Sequence, residues 1–191
     1  MKKNNLLPSD FTLDRYGLHV RFVDEHDAEF ILSLRTDARL GQYIHSTEND
    51  VLKQIEWTKE YKIRERKGTD YYFMFEMPIG NKLGVSRIYN VTDSTFETGS
   101  WVFKRDAPFG SAFLGDIICH EIAFEMFPDK TNLHDIKKAN YGVNKYADEF
   151  HPILISETED TRYFKNDKEN YTFYKNLYLE KLLQLVKRFE K

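Results

Sequence analysis

Between Glu97 and Ala112 the chain reads ETGSWVFKRDAPFGSA, passing from a strand-like stretch through a tight loop into a dense apolar helix. The first N–H groups of such a helix lack internal partners and stand at the positive end of its dipole. Gly110, Ser111 and Ala112 have side chains small enough for a phosphate to reach that backbone, which suits a pyrophosphate. An ordinary strand-to-helix turn needs the same glycine and small cap, so spacing alone leaves both readings open.

Other chemistries find less support. The six histidines form no HxxxH or HxH pair and no carboxylate set has metal spacing, so no metal is expected. His120, on the apolar helix, reads as a satisfied structural histidine, and His45, in a loop-like stretch, as a weak acceptor contact. Cys119 is the only cysteine, which excludes an internal disulfide and fits a reducing compartment. A net charge of -3 provides no basic field for nucleic acid or anionic lipid. No apolar run reaches membrane-spanning length, and MKKNNLLPSDF lacks a signal-peptide core; the expected location is the cytoplasm. With 41% hydrophobic and 31% charged residues the chain is of globular composition.

The elements that must position these residues follow from periodicity. Leu18–Val23 alternates as a strand, and Asp24 with Asp27 caps a helix carrying Ala28, Ile31 and Leu34. Thr47–Asp50 resembles a capping box before a second helix, with Val51, Ile55, Trp57 and Tyr61, to about Lys67. The stretches 71–77, 82–91 and 95–103 predict an antiparallel meander. Leu114, Ile118, Ile122 and Met126 mark the apolar helix, which ends at Pro128. A strand at 133–137, a helix at 140–149, two weak strands near Ile153 and Tyr163 and a last helix complete the order. That helix carries a stripe of Tyr171, Tyr174, Tyr178, Leu182, Leu185 and Phe189. The order predicts an α/β fold with a mixed (α+β) sheet, formed by residues 1–166, and a helical extension at 167–191 docked on the same domain. Its stripe also allows a homodimer in place of a monomer.

Three segments resemble the GNAT-superfamily N-acetyltransferases, in the branch of ribosomal-protein N-terminal and sugar-nucleotide amine acetyltransferases. VRFVDEHDAEFILSLR from Val20 to Arg35 is similar to the family's first strand and helix. ETGSWV from Glu97, with Gly110-Ser111-Ala112, resembles its fourth strand and the end of its pyrophosphate loop. IKKAN, ending at Asn140, resembles its fifth strand and the Asn opening the next helix. The resemblance implies a mostly antiparallel sheet splayed between those two strands, with acetyl-CoA as co-substrate in the gap. Trp101, Val102 and Phe103 would then pair with the pantetheine arm through their backbone. The N–H groups of Phe109, Gly110, Ser111 and Ala112 would hold the pyrophosphate, Arg105 would add charge, and Asn140 would bond the arm.

Departures from the family pattern fall on the chemistry. The usual loop-opening Arg or Gln is Ala107, and the usual proton-donating Tyr is Ala147, with Tyr146 one position earlier. The Gly-Phe that normally follows this helix is His151-Pro152. Amine acetylation needs an acceptor for the ammonium proton, and Glu97, on the strand bordering the gap, is the candidate base; Tyr146 is the candidate acid. Arg35, Arg39, Tyr43, Tyr61, Arg87 and Tyr89 could surround a negatively charged acceptor, a nucleotide-linked amino sugar better than a polyamine. The implied acceptor is a small-molecule amine or a protein N-terminus. The alternative is an acyl-CoA-binding or interaction module without catalysis, for which Ala147 would mark lost chemistry.

Overall fold

The computed structural model describes residues 6–189, the last by its backbone only. Eight strands form one sheet in the order β1-β2-β3-β4-β5-β6-β8-β7. They are β1 (Thr12–Arg15), β2 (Leu18–Phe22), β3 (Tyr71–Glu76), β4 (Lys82–Tyr89), β5 (Thr95–Phe103), β6 (Thr131–Lys137), β7 (Ile153–Glu157) and β8 (Thr161–Asn166). All neighbours are antiparallel except β5 and β6. The helices are α1 (Ala28–Thr36), α2 (Val51–Arg66), α3 (Ser111–Met126), α4 (Tyr141–Asp148) and α5 (Lys168–Phe189).

Alternation along β3 separates two cores. Tyr71, Phe73 and Phe75 join α3, α5 and Tyr146 on one face, while Tyr72 and Met74 join α1 and α2 on the other. Every residue of β3 is buried and the strand is aromatic or apolar as far as Glu76, as expected of one covered on both faces. Local signals set the element ends. Asp24 and Asp27 form a reciprocal capping box, and Asp27 also takes a bidentate ion pair from Arg21 at 2.8 Å. Asp50, rather than Thr47, caps α2 by accepting from the Leu52 and Lys53 N–H groups. Thr47 is used elsewhere, accepting from Arg35 Nε at 2.5 Å.

Two expectations change. β1 adds an edge strand that periodicity did not indicate; Tyr16 and Gly17, both at positive φ, make the tight turn into β2. On α5 the covered face runs through Tyr171, Lys175, Tyr178, Leu179, Leu182 and Val186, whereas Leu185 is 41% exposed. Lys175 joins that face because its ammonium reaches Glu121 of α3 at 2.8 Å. Among the described residues no helix is long and apolar enough to cross a membrane.

Candidate active site

The parallel joint between β5 and β6 consists of Thr95↔Thr131, Phe96↔Asn132 and Glu97↔Leu133, and nothing beyond. From Thr98 onward the two strands diverge. The register of β5 against β4 also shifts there, opposite Ser86, and Ser100 adopts φ 50. An extra residue in one strand of a pair bends that strand and re-aims its side chains. The gap is a cleft of about 490 Å³, lined by residues 98–103 of β5, by His134 to Lys137 of β6 and by Asn140, Val143, Tyr146 and Ala147 of α4. Tyr43 and Ile44 border it from the loop after α1.

Of residues 109–112, expected at the phosphate loop, Ala112 alone lines the cleft. Gly110 caps α3 at φ 86, Ser111 N–H bonds Pro108 O at 3.1 Å, and Leu114 N–H closes onto Gly110 O. The Ala112 and Phe113 N–H groups between them have no intrahelical acceptor and remain for a ligand. Trp101 anchors this end of the helix, its indole N–H donating to Ala112 O at 2.9 Å. Gly110 faces α5: an added Cβ would stand 2.6 Å from Val186 Cγ2. Phe109 and Arg105 are exposed on the outer turn. Asn140 lines the cleft while capping α4, accepting from Val143 N–H at 3.3 Å.

At the base lies a buried polar network. Tyr146, 8% exposed, donates its hydroxyl proton to Asp116 Oδ2 at 2.8 Å and packs against Trp101 and Phe113. Asp116 also stands 3.4 Å from His120 Nδ1, and His120 Nε2 is 3.2 Å from Thr98 Oγ1. Asn132 joins Thr98 to His134, and Tyr171 stacks on His120 at 4.7 Å. Burial, with Asp116 adding to it, raises the Tyr146 hydroxyl well above the ordinary phenol range. Burial lowers His120, but the Asp116 carboxylate outweighs it and the net shift is upward. Burial and neighbouring His120 push His134 down to about 4. Asp116, Thr98, Asn132 and His134 were not singled out in the sequence, and Tyr171 was read only as part of the last helix's apolar stripe; only the polar interruptions of an apolar helix hinted at Asp116.

The remaining predicted residues divide. Glu97 lies on the α2-side face with Tyr89 and accepts from Asn90 Nδ2 at 3.1 Å; it lines neither this cleft nor the cavity next to it. Tyr61 is 0% exposed, donates to Glu65 and accepts from Tyr72 N–H at 3.0 Å, so the core of α2 takes it out of acceptor contact. Arg35 and Arg87 come together in a second cavity of about 410 Å³ behind Ser100, between α1, α2 and the sheet. Arg87 is held there by Asp70 and lies over the Tyr89 ring at 4.8 Å. Tyr43 lines the main cleft instead. Among the described residues no three His, Cys, Asp or Glu side chains gather as a metal group.

No family model and no curated protein sequence matches this chain. Solved structures do. FdhC, a nucleotide-linked sugar GNAT in its apo form, aligns with a TM-score of 0.79 and 28% identity over 89% of this chain and 97% of that one. The ribosomal-protein-S5-alanine acetyltransferase of Vibrio fischeri aligns with a TM-score of 0.72 and 11% identity, covering 85% and 99%. RimL, a ribosomal L7/L12 alpha-N-protein acetyltransferase in complex with coenzyme A, gives 0.66 and 12%, covering 82% and 98%. At these identities the last two carry the fold alone. The chain has the GNAT acetyltransferase fold, with the parted strands β5 and β6 in place. At 28% identity its likeness to the nucleotide-linked sugar GNAT extends to sequence as well.

Proposed function

We propose that the chain is an acetyl-CoA-dependent N-acetyltransferase acting on a primary amine. One observation carries this: the cleft opens where β6 leaves β5, beside the N-terminus of α3. The unpaired edge of β5 at Trp101, Val102 and Phe103 fits an extended amide-bearing arm, which would add to it as a strand does. The free N–H groups of Ala112 and Phe113 fit a pyrophosphate at the rim. Bound there, acetyl-CoA supplies an activated acyl group.

The side chains then have distinct tasks. The backbone at Val102 or Phe103 meets the oxyanion that develops on the carbonyl. Glu97 accepts the ammonium proton; lying outside the cleft lining, it acts through water. Tyr146 supplies a proton to the departing sulfur, and must first release it from Asp116. Asn140 keeps its amide nitrogen for the arm while its oxygen caps α4. The acceptor is a nucleotide-linked amino sugar or a protein N-terminus, in keeping with the nucleotide-linked sugar and the alpha-N-protein named for two of the similar structures, and the lone Cys119 suits a cytoplasmic setting.

Thiol release from acetyl-CoA, followed with a panel of amino sugars, sugar nucleotides and N-terminal peptides, tests the reading. Amine-dependent release is expected. Tight CoA binding with no release for any amine would favour the non-catalytic module, to which Ala147 and the Tyr146–Asp116 bond also point.

A further inference from the structure

The cavity behind Ser100 is built differently from the cleft in front of it. Its lining includes Arg35, Arg87 and Lys53 against one carboxylate, Glu48, a formal excess of two positive charges. Two of the three cations are already engaged: Lys53 pairs with Glu48, and Arg87 with Asp70. Arg35 is the exception. It is half-buried and bonds only neutral oxygens, Thr47 Oγ1 at 2.5 Å and His45 O at 3.0 Å, so its charge faces no carboxylate among the described residues. Those two bonds fix the guanidinium and leave Nη1 for a ligand.

Beside it stands an unspent donor. Tyr72 is 2% exposed and its hydroxyl finds no hydrogen-bond partner among the described residues. An orphaned buried hydroxyl is destabilising relative to a paired one, a penalty that Phe at this position would avoid. Burial raises Tyr72, with Arg35 and Arg87 acting the other way; the neighbouring Arg35 guanidinium can only donate to the phenol oxygen, so the hydroxyl proton itself is left for an acceptor. The ring of Trp57 is taken, Tyr61 stacking on it at 6.0 Å and Arg87 lying 5.0 Å from its centroid, so no free aromatic face is offered to a planar ligand. The polar groups left over are therefore an arginine fork and a hydroxyl donor, an anion's partners rather than an amine's.

We propose that this cavity takes the phosphate-bearing part of the acceptor, with Arg35 and the Tyr72 hydroxyl as its contacts. This rests on the reading of the chain as an amine acetyltransferase: Ser100 lines both cavities, so an acceptor anchored behind β5 would present its amine to the cleft in front. A protein N-terminus lacking phosphate would leave both groups unused.

Calorimetric titration of the full chain with inorganic pyrophosphate, UDP and CoA, each alone and the first two again with saturating CoA, tests it. Pyrophosphate carries the phosphate chemistry by itself and UDP its nucleoside-linked source. At least one is expected to bind, and to stay bound beside CoA because the linings of the two cavities share Ser100 alone. Tyr72→Phe should weaken that binding by about 10-fold or more with CoA affinity unchanged and melting temperature equal or higher, since it removes an unpaired hydroxyl. Arg35→Gln should weaken it further. The proposal is overturned if neither probe binds, if CoA displaces them, or if Tyr72→Phe binds as the parent does. CoA binding with no probe binding would sink this assignment and leave acetyl transfer standing; probe binding without CoA binding would remove acetyl transfer and, with it, the acceptor's place in this cavity.

Discussion

Tyr146 and Asp116 hold each other at the base of the cleft, and their bond decides how a proton reaches the leaving sulfur. A phenol raised well above its usual range is a poor free acid, yet it is fully protonated at every working pH. If it is the donor, Tyr146→Phe should lower kcat by about 10²-fold while CoA affinity stays within a few-fold. Steady-state kinetics with a saturating amine would show it; an unchanged kcat would make Tyr146 a packing residue against Trp101 and Phe113. Periodicity could not choose between positions 146 and 147. Successive helix residues differ by about 100° in direction, and how α4 enters from Asn140 depends on contacts distant in sequence. For the same reason Tyr61 read as cleft-facing, although its hydroxyl is used by Glu65 and Tyr72. Tyr72 itself was invisible, because nothing in a strand buried on both faces reveals which unpartnered tyrosine lines a cavity.

At the level of elements, α5 acts as a floor. Tyr171 lines the cleft and stacks on His120, and Leu182 and Val186 lie against Gly110. Gly110 stands in the left-handed region with Val186 in the path of any Cβ, so replacing it would disturb the helix together with the loop. We propose that α5 belongs to the same folding unit as the sheet. Deleting residues 167–191 should then lower the melting temperature by several degrees and weaken CoA binding with it. A truncated chain that melts and binds CoA like the parent would make α5 an appendage. The meander and the apolar helix were legible because their periodicities are strong and their turns short. The short β1 was not: its pairing rests on backbone torsions at Tyr16 and Gly17 more than on any apolar pattern.

For the molecule as a whole, the network beneath the cleft sets the response to acid. His134 is depressed to about 4 against an unfolded value near 6.5. Between these values the unfolded chain binds a proton that the native state refuses, so stability falls as pH drops through that window. His120 has the opposite sign: its raised value contributes stability below about pH 6.5 that is lost as pH climbs through the folded value. Thermal melts should therefore fall from pH 6.5 to 4.5 in the parent, and His134→Gln should flatten that slope. Parallel profiles for the two would show that His134 does not carry the acid loss.

The sheet is in effect two leaves. Strands β1 to β5 are joined by antiparallel pairings, while β6, which carries β8 and β7, pairs with them through three residue pairs beginning at Thr95↔Thr131. The joint forms only after α3 has carried the chain across, just as β2 meets β3 only after α1 and α2 have done so. Such a closure must meet its loop entropy before any contact rewards it. In kinetic terms the joint and the pairing of β2 with β3 are both non-local steps of assembly. Because the cleft is the space the joint leaves open, the ligand site exists only once both leaves are in register. A ligand spanning the two leaves is thus a second clamp across the seam, adding about 2.7 kcal/mol to the intact fold at a hundredfold excess over its Kd.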